Sequence, residues 1–118
     1  MLRPRTIWEV PAETARIAKA SLPKGNRYLL LRDQVGVIYQ DEQFADLFVW
    51  RGQPAEAPGL LAMVTIMQFA EGLTDRQAAE AVGSRIDWKY VLGLDIDAPA
   101  VSHSILSEFR DQIGRAHV

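Results

Sequence analysis

Five acidic side chains in two short groups have the chemistry to bind catalytic metal ions. Asp41, Glu42 and Asp46 form one group, and Asp95 and Asp97 form the other. Two-metal catalysis needs such acids brought together from the strands and a helix of one fold, so that they hold ions about 4 Å apart. The sequence has no convincing pattern of such strands. We therefore expect these acids to be helix caps or solvated surface, and we predict no catalytic residue and no metal site.

Basic and hydroxyl side chains in the second half of the chain are suited instead to nucleic acid. Long basic side chains on a polar helix face reach phosphates easily, and serines near a helix start can contact phosphates or base edges in a groove. The alternatives are ion pairs with neighbouring carboxylates for the cations and helix capping for the serines. The candidate DNA contacts are Arg76, Arg85, Lys89, Ser104, Ser107 and Arg110.

The segment from Leu73 to Leu94 must position half of these candidates, and its pattern indicates two short helices joined by a tight turn. Thr74 followed by Gln77 is a capping box, in which each side chain binds a free backbone N–H of the other residue. The small apolar residues that follow form a closely packable face: Ala78, Ala79, Ala81 and Val82. Gly83 is expected to end this helix.

The second helix of the pair carries aromatic residues. Asp87 is expected to cap it. Trp88 and Tyr90 are expected to point inward, and Lys89 is expected to point to solvent. Stacking of the aromatic rings on bases is an alternative, but at helical spacing we favour the core for Trp88. A capped helix, a turn and a second helix are the parts of a helix-turn-helix module.

The rest of the chain also predicts helices. Pro11 is expected at the first position of one, Asn26–Val35 form another, and Asp41 caps a third. Residues 58–71 are apolar nearly all round, which is typical of a buried helix, and the last helix begins near Ser102. The predicted fold class is all-α: a compact multi-helix bundle with a helix-turn-helix-like second half.

Charge is distributed unevenly along the chain, whose net charge is −2. Residues 1–32 contain seven Lys or Arg and two Glu. Residues 33–72 contain one Arg and six acidic residues, and residues 73–112 contain four Lys or Arg and seven acidic residues. Phosphate binding needs a local basic surface, so the N-terminal third is the obvious candidate. The chain has no cysteine, no secretory signal and no apolar run near the roughly 20 residues of a membrane helix. We therefore expect a cytoplasmic, nucleoid-associated protein with no membrane partner.

Short motifs follow one another in order along almost the whole chain, from about Trp8 to Arg110. They are Val10-Pro11, Leu22-Pro23-Lys24-Gly25-Asn26, Leu31-Arg32-Asp33, Phe44-Ala45-Asp46-Leu47-Phe48, Gly52-Gln53-Pro54-Ala55-Glu56-Ala57-Pro58, Met67-Gln68-Phe69, Glu71-Gly72-Leu73, Asp75-Arg76-Gln77-Ala78-Ala79, Arg85-Ile86-Asp87-Trp88-Lys89-Tyr90, Leu92-Gly93-Leu94 and Leu106-Ser107-Glu108-Phe109-Arg110. In this order they resemble the N-terminal region of bacterial insertion-sequence transposases whose catalytic part is an RNase H-like DDE domain.

The resemblance implies a DNA-handling domain separated from its catalytic partner. It would bind double-stranded DNA at the terminal inverted repeats of the transposon, and we favour the last helix as the reader of bases. A downstream domain, absent from this chain, would cut and join the strands. No cofactor is expected here, because the resemblance places the divalent metal ions in that missing domain.

Two other functions remain open. The low basicity of residues 33–112 favours a protein-interaction module that pairs transposase subunits into a homo-oligomer and has little DNA affinity. A free-standing regulator made from a truncated transposase is the third possibility.

The last six residues have no counterpart in the family pattern. One reading frame of a common short sequencing adapter would encode Ile113–Val118. We therefore expect a transposase N-terminal helical domain over 1–112, followed by a non-native tail over 113–118. A natural C-terminus with a solvent-exposed tail is the alternative.

Overall fold

The computed structural model describes residues 9–35 and 58–116, and within these two ranges all regular structure is helical. The helices are α1 (Ala12–Ser21), α2 (Arg27–Val35), α3 (Pro58–Glu71), α4 (Asp75–Ser84), α5 (Ile86–Leu92) and α6 (His103–Ala116). This confirms the predicted all-α fold class. The helix predicted from Asp41 lies outside the described residues. None of the described helices is long and apolar enough to cross a membrane.

A five-residue turn joins α1 and α2. Pro11 precedes α1 rather than opening it, since α1 begins at Ala12. The Gly25 N–H donates to the Leu22 carbonyl at 2.8 Å, and the φ of Gly25 is 72°, which favours glycine. Asn26 then caps α2, because its Oδ1 accepts hydrogen bonds from two backbone N–H groups, each at 3.1 Å.

α3 has the predicted bounds but not the predicted burial on every side. Leu61 and Val64 are fully buried, whereas Ile66 and Phe69 are 45% and 68% exposed. The prediction of a helix buried all round is therefore wrong, and part of its apolar surface meets solvent. The helix ends at Glu71, after which Gly72 takes a left-handed conformation typical of helix ends.

The capping box predicted for α4 is confirmed. The Gln77 N–H donates to Thr74 Oγ1 at 3.1 Å, and the Thr74 N–H donates to Gln77 Oε1 at 2.9 Å. The helix ends at Ser84 rather than at Gly83, so that prediction is wrong. A Cβ on Gly83 would lie 2.6 Å from the Ala100 nitrogen. The glycine is therefore needed where α4 closely approaches the segment between α5 and α6.

α5 follows α4 after a single non-helical residue, Arg85. The predicted cap is wrong in position, because α5 begins at Ile86 and its N-cap is Arg85. Asp87 lies inside the first turn, where its Oδ1 accepts a 2.8 Å hydrogen bond from the Trp88 N–H. Trp88 is fully buried, as predicted. Lys89 does not point to solvent but is 4% exposed, because the following segment folds back over it and the Ala98 carbonyl accepts a 2.5 Å hydrogen bond from its Nζ.

The described helices bury two apolar clusters, and α5 contributes to both. The main cluster includes side chains of α3, α4 and α6 together with Trp88, and the second includes Ala18, Leu29 and Tyr90. α5 packs against α1, α2 and α4, whereas α6 packs against α3 and α4. α1 is also tied to the segment after α5, because Thr14 Oγ1 donates to the Leu94 carbonyl at 2.7 Å.

α6 begins close to the predicted position, at His103. Leu106 and Phe109 are fully buried in the main cluster. The helix continues to Ala116, and Ile113 packs against the main cluster. The origin proposed for residues 113–118 stays a prediction.

Candidate nucleic-acid interface

The six predicted DNA contacts fall into two groups by their surroundings. Those in the first group form no ion pair and no hydrogen bond to another helix within the residues that the structure describes, and those in the second are held by other residues. The first group is Arg76, Ser104 and Ser107, and the second is Arg85, Lys89 and Arg110. DNA contact itself stays a prediction for all six.

Arg85 lies at the centre of a polar cluster between α2, α3 and α5. This Arg85 cluster consists of Asn26, Tyr28, Glu71, Arg85, Asp87 and Trp88. The Arg85 Nη1 donates to Glu71 Oε1 at 2.7 Å, and its Nη2 donates to Asp87 Oδ2 at 2.8 Å. The guanidinium also lies 5.2 Å from the centre of the Trp88 ring, within the range of a cation–π interaction. Two carboxylates and a ring therefore compensate this charge.

The other contacts of the Arg85 cluster join the ends of three helices. Glu71 accepts further hydrogen bonds from the Tyr28 hydroxyl at 2.5 Å and from Trp88 Nε1 at 3.4 Å. Asn26, which caps α2, donates through Nδ2 to Asp87 Oδ2 at 3.0 Å. The start of α2, the end of α3 and the start of α5 are thus fixed to one another.

The ionisation of the Arg85 cluster follows from these contacts. The hydrogen bond from Arg85 is the main reason why the pKa of Glu71 falls to about 2, from an ordinary value of 4.5. Burial, and after it the hydrogen bond to Glu71, raise the pKa of Tyr28 to about 12. Burial disfavours the charge of Arg85, but its bonds to Asp87 and Glu71 outweigh burial and raise its pKa. The carboxylate and the guanidinium therefore stay charged near neutral pH.

Arg110 is held in a second polar cluster, which joins α3, α4 and α6. Both of its terminal nitrogens bind the Asp75 carboxylate, with Nη2 at 2.9 Å from Oδ2. Asp75 Oδ1 also accepts a 2.9 Å hydrogen bond from Gln68 Nε2. The hydrogen bond from Arg110 is the largest cause of the lowered pKa of Asp75. Bidentate pairs of this kind fix geometry as well as charge.

A third polar cluster joins α1, α2 and α5. The Tyr90 hydroxyl donates to Asp33 Oδ1, and Lys19 Nζ donates to Asp33 Oδ2 at 3.1 Å. The bond from Tyr90 is the main cause of the lowered pKa of Asp33. Burial raises the pKa of the Tyr90 hydroxyl.

Residues from motifs far apart in the sequence meet in these three clusters, and the sequence analysis did not predict their pairing. The pairs are Asn26–Asp87, Glu71–Arg85, Asp33–Tyr90 and Asp75–Arg110. Each pair joins a carboxylate to a hydrogen-bond donor from another motif. This match of carboxylates with donors is the feature of the sequence from which the pairs could have been predicted. Much of the motif pattern therefore encodes contacts between helices of the domain.

Two exposed cations within the motifs have no such role. Lys24 and Arg76 form no ion pair or hydrogen bond with any residue that the structure describes. Arg76 is one of the six predicted DNA contacts, and Lys24 is not. Within residues 9–35 and 58–116, no group of three or more His, Asp or Glu side chains is placed to hold a metal ion. Asp41, Glu42 and Asp46 lie outside those ranges.

Comparison with known proteins gives one match. A family model described as a transposase domain (DUF772) matches residues 16–112, a range that reaches into all the helices described above. No curated protein and no solved structure matches the chain.

Proposed function

Because the chain belongs to the transposase-domain family DUF772, we propose that it is the DNA-binding N-terminal domain of an insertion-sequence transposase and that it recognises the terminal inverted repeats of its transposon. The observation that supports this proposal is the family match, because a transposase acts on DNA. The ends of the transposon must be bound before the strands are cut. A separate DDE domain would supply the cutting and joining. This chain would then bind DNA without cleaving it.

The members of the candidate set that no other helix holds are the contacts we favour. Arg76 lies at the start of α4, and its neighbour Asp75 is bound by Arg110 of α6, so the start of α4 lies beside α6. Ser104 is exposed and Ser107 is half-buried on α6. Arg76 would contact phosphate, and the serines would contact phosphates or base edges.

The other three candidates have less surface to offer. Arg85 and Arg110 could reach DNA only through the exposed third of each side chain, which is 35% for Arg85 and 32% for Arg110. Lys89 is 4% exposed and has no surface from which to reach a phosphate. We infer that these three residues serve chiefly to hold the fold.

The proposed reading helix is α6 rather than α5. The single residue between α4 and α5 is shorter than the three- or four-residue turn of DNA-binding helix-turn-helix modules. Residues 87–92 of α5 are all buried, so this helix has no free face to place in a groove. These features favour α6 over α5 as the helix that reads bases.

Fluorescence-anisotropy titration tests the proposal, with labelled duplexes from the ends of the element and scrambled duplexes over a salt series. We expect tighter binding to the end duplexes. Arg76→Gln should weaken binding and lower the salt slope by about one. Equal affinity for both duplexes would contradict end recognition, and no binding at low salt would contradict DNA binding.

Subunit pairing is the second candidate function, and exposed apolar side chains favour it. Leu30 is 57% exposed, and Ile66 and Phe69 of α3 are also exposed. A cavity of about 350 Å³ between α2 and α3 has a mainly apolar lining that includes Ile66 and Met63. Ile66 is both exposed and part of this lining, and contiguous apolar surface is typical of protein interfaces.

Light scattering after size exclusion tests pairing without DNA. A dimer that Phe69→Ser dissociates would support pairing through this surface. A monomer at every concentration would contradict it.

A further inference from the structure

We propose that the main phosphate-binding surface of the domain is the turn between α1 and α2 together with its flanking cations, Lys19, Lys24 and Arg27. The inference rests on the proposed DNA binding and assigns its electrostatic contact to residues outside the candidate set. The uneven charge of the sequence points to the same basic N-terminal third. The partner is the backbone of duplex DNA.

The balance of charge between residues 9–35 and residues 58–112 favours this surface. Residues 9–35 contain five Lys or Arg and three acidic residues, whereas residues 58–112 contain four Lys or Arg and eight acidic residues. Three of those four cations, Arg85, Lys89 and Arg110, are bound by groups of the chain itself. A phosphate backbone is attracted to local positive charge, and of the two ranges only 9–35 is net positive.

The three cations of the turn are available at little cost. Lys24 is exposed and has no partner among the described residues, and the side chains of Lys19 and Arg27 are 56% and 64% exposed. Arg27 lies 3.4 Å from Glu71, which already pairs with Arg85 at 2.7 Å. Lys19 shares Asp33 with the Tyr90 hydroxyl. Both cations are largely exposed, and surface ion pairs contribute about 1 kcal/mol or less. When a phosphate binds the cation instead, Glu71 keeps Arg85 and Asp33 keeps the hydrogen bond from the Tyr90 hydroxyl.

The turn is fixed before it binds anything. Gly25 holds its left-handed conformation through the bond to the Leu22 carbonyl, and Asn26 is bound both to α2 and to Asp87. A fixed surface loses little conformational entropy when it binds a partner. A Cβ on Gly25 would have no atom within 4 Å, so a phosphate can approach the backbone closely.

The chemistry of the surface fits a duplex backbone rather than unpaired bases. Lys19 and Lys24 line a cavity of about 350 Å³ beside the turn, which Asp33 also lines. Tyr28 and Tyr90 are 5% exposed, so neither ring offers a face on which a base could stack. Cations without such rings bind phosphates and carry no sequence information.

The test uses single variants of the full chain and anisotropy titration with a duplex of mixed sequence, from about 50 to 200 mM salt. Lys24→Gln and Arg27→Gln should each lower the salt slope by about one, and the double variant should lose about tenfold or more in affinity at low salt. Arg16→Gln is the matched control, because it removes one exposed charge that Glu13 already pairs at 2.5 Å. Circular dichroism should show unchanged folding, since Lys24 bonds to no described residue.

The outcomes separate this inference from the proposed function. If the unaltered chain binds DNA and the Lys24 and Arg27 variants keep its affinity and salt slope, the inference is overturned and DNA binding stands. If Arg16→Gln loses as much DNA affinity as Lys24→Gln, the net charge of the chain and not this turn determines the affinity, and the inference is again overturned. If the unaltered chain binds no DNA, both proposals fail.

Discussion

The Glu71 carboxylate, at the end of α3, holds α2, α3 and α5 together through its hydrogen bonds. It accepts hydrogen bonds from Arg85, Tyr28 and Trp88, and its side chain is 15% exposed. Bonds shielded from water in this way are stronger than those of surface pairs. Without the charge of Glu71, Asp87 would be the one carboxylate left to pair with Arg85 in the Arg85 cluster.

Glu71→Gln should therefore lower the free energy of unfolding at pH 7 by about 2 kcal/mol, measured by urea titration. It should also flatten the pH dependence of stability. A carboxylate whose pKa falls from 4.5 to about 2 on folding contributes its full stabilisation above about pH 5, and this contribution is lost as the pH falls toward 2.

Glu80→Gln is the matched control, because Glu80 is an exposed glutamate on α4. It should keep the stability and acid dependence of the unaltered chain. Identical stability profiles below pH 5 for Glu71→Gln and the unaltered chain would contradict the role given to Glu71.

At the scale of elements, features set by neighbouring residues were predictable from the sequence. The bounds of α3 and the capping box of Thr74 and Gln77 follow from local patterns and local hydrogen bonds. The surroundings of Lys89 and Gly83 were not predictable. Both depend on how residues 93–102 return across α4 and α5, and the spacing of residues within a helix contains no information about that path.

Gly83→Ala should destabilise the fold even though alanine is favoured in helices by about 1 kcal/mol. The added Cβ would lie 2.6 Å from the Ala100 nitrogen and 2.9 Å from its Cα, so the backbone must shift. We expect a loss of about 1–3 kcal/mol in urea unfolding. Ser84→Ala, at the exposed neighbouring position, should change stability by about 0.5 kcal/mol or less. A stabilising Gly83→Ala would contradict the close approach described for α4.

At the scale of the whole molecule, α5 connects the two apolar clusters. Trp88 lies in the main cluster and Tyr90 in the second, although they are two residues apart. The Arg85 cluster also holds α2 against α3 and α5. We therefore expect the described helices to unfold together rather than in two stages.

A chain carrying Trp8→Phe and Trp50→Phe tests this, because Trp88 is then its one tryptophan. Trp88 is fully buried, so its emission should shift to longer wavelength when the main cluster opens. The urea midpoints from Trp88 fluorescence and from helical circular dichroism should coincide. A loss of helix before the fluorescence changes would show that α1 and α2 unfold separately.

The burial of Lys89 also determines where amine chemistry can modify this protein. The chain has three lysines, and the two exposed ones, Lys19 and Lys24, both belong to the surface proposed to bind DNA. A dye, a cross-linker or a sensor chip attached through lysine would therefore occupy that surface. The chain has no cysteine, so Glu80→Cys on α4 would provide a single thiol on a different helix and leave the turn open.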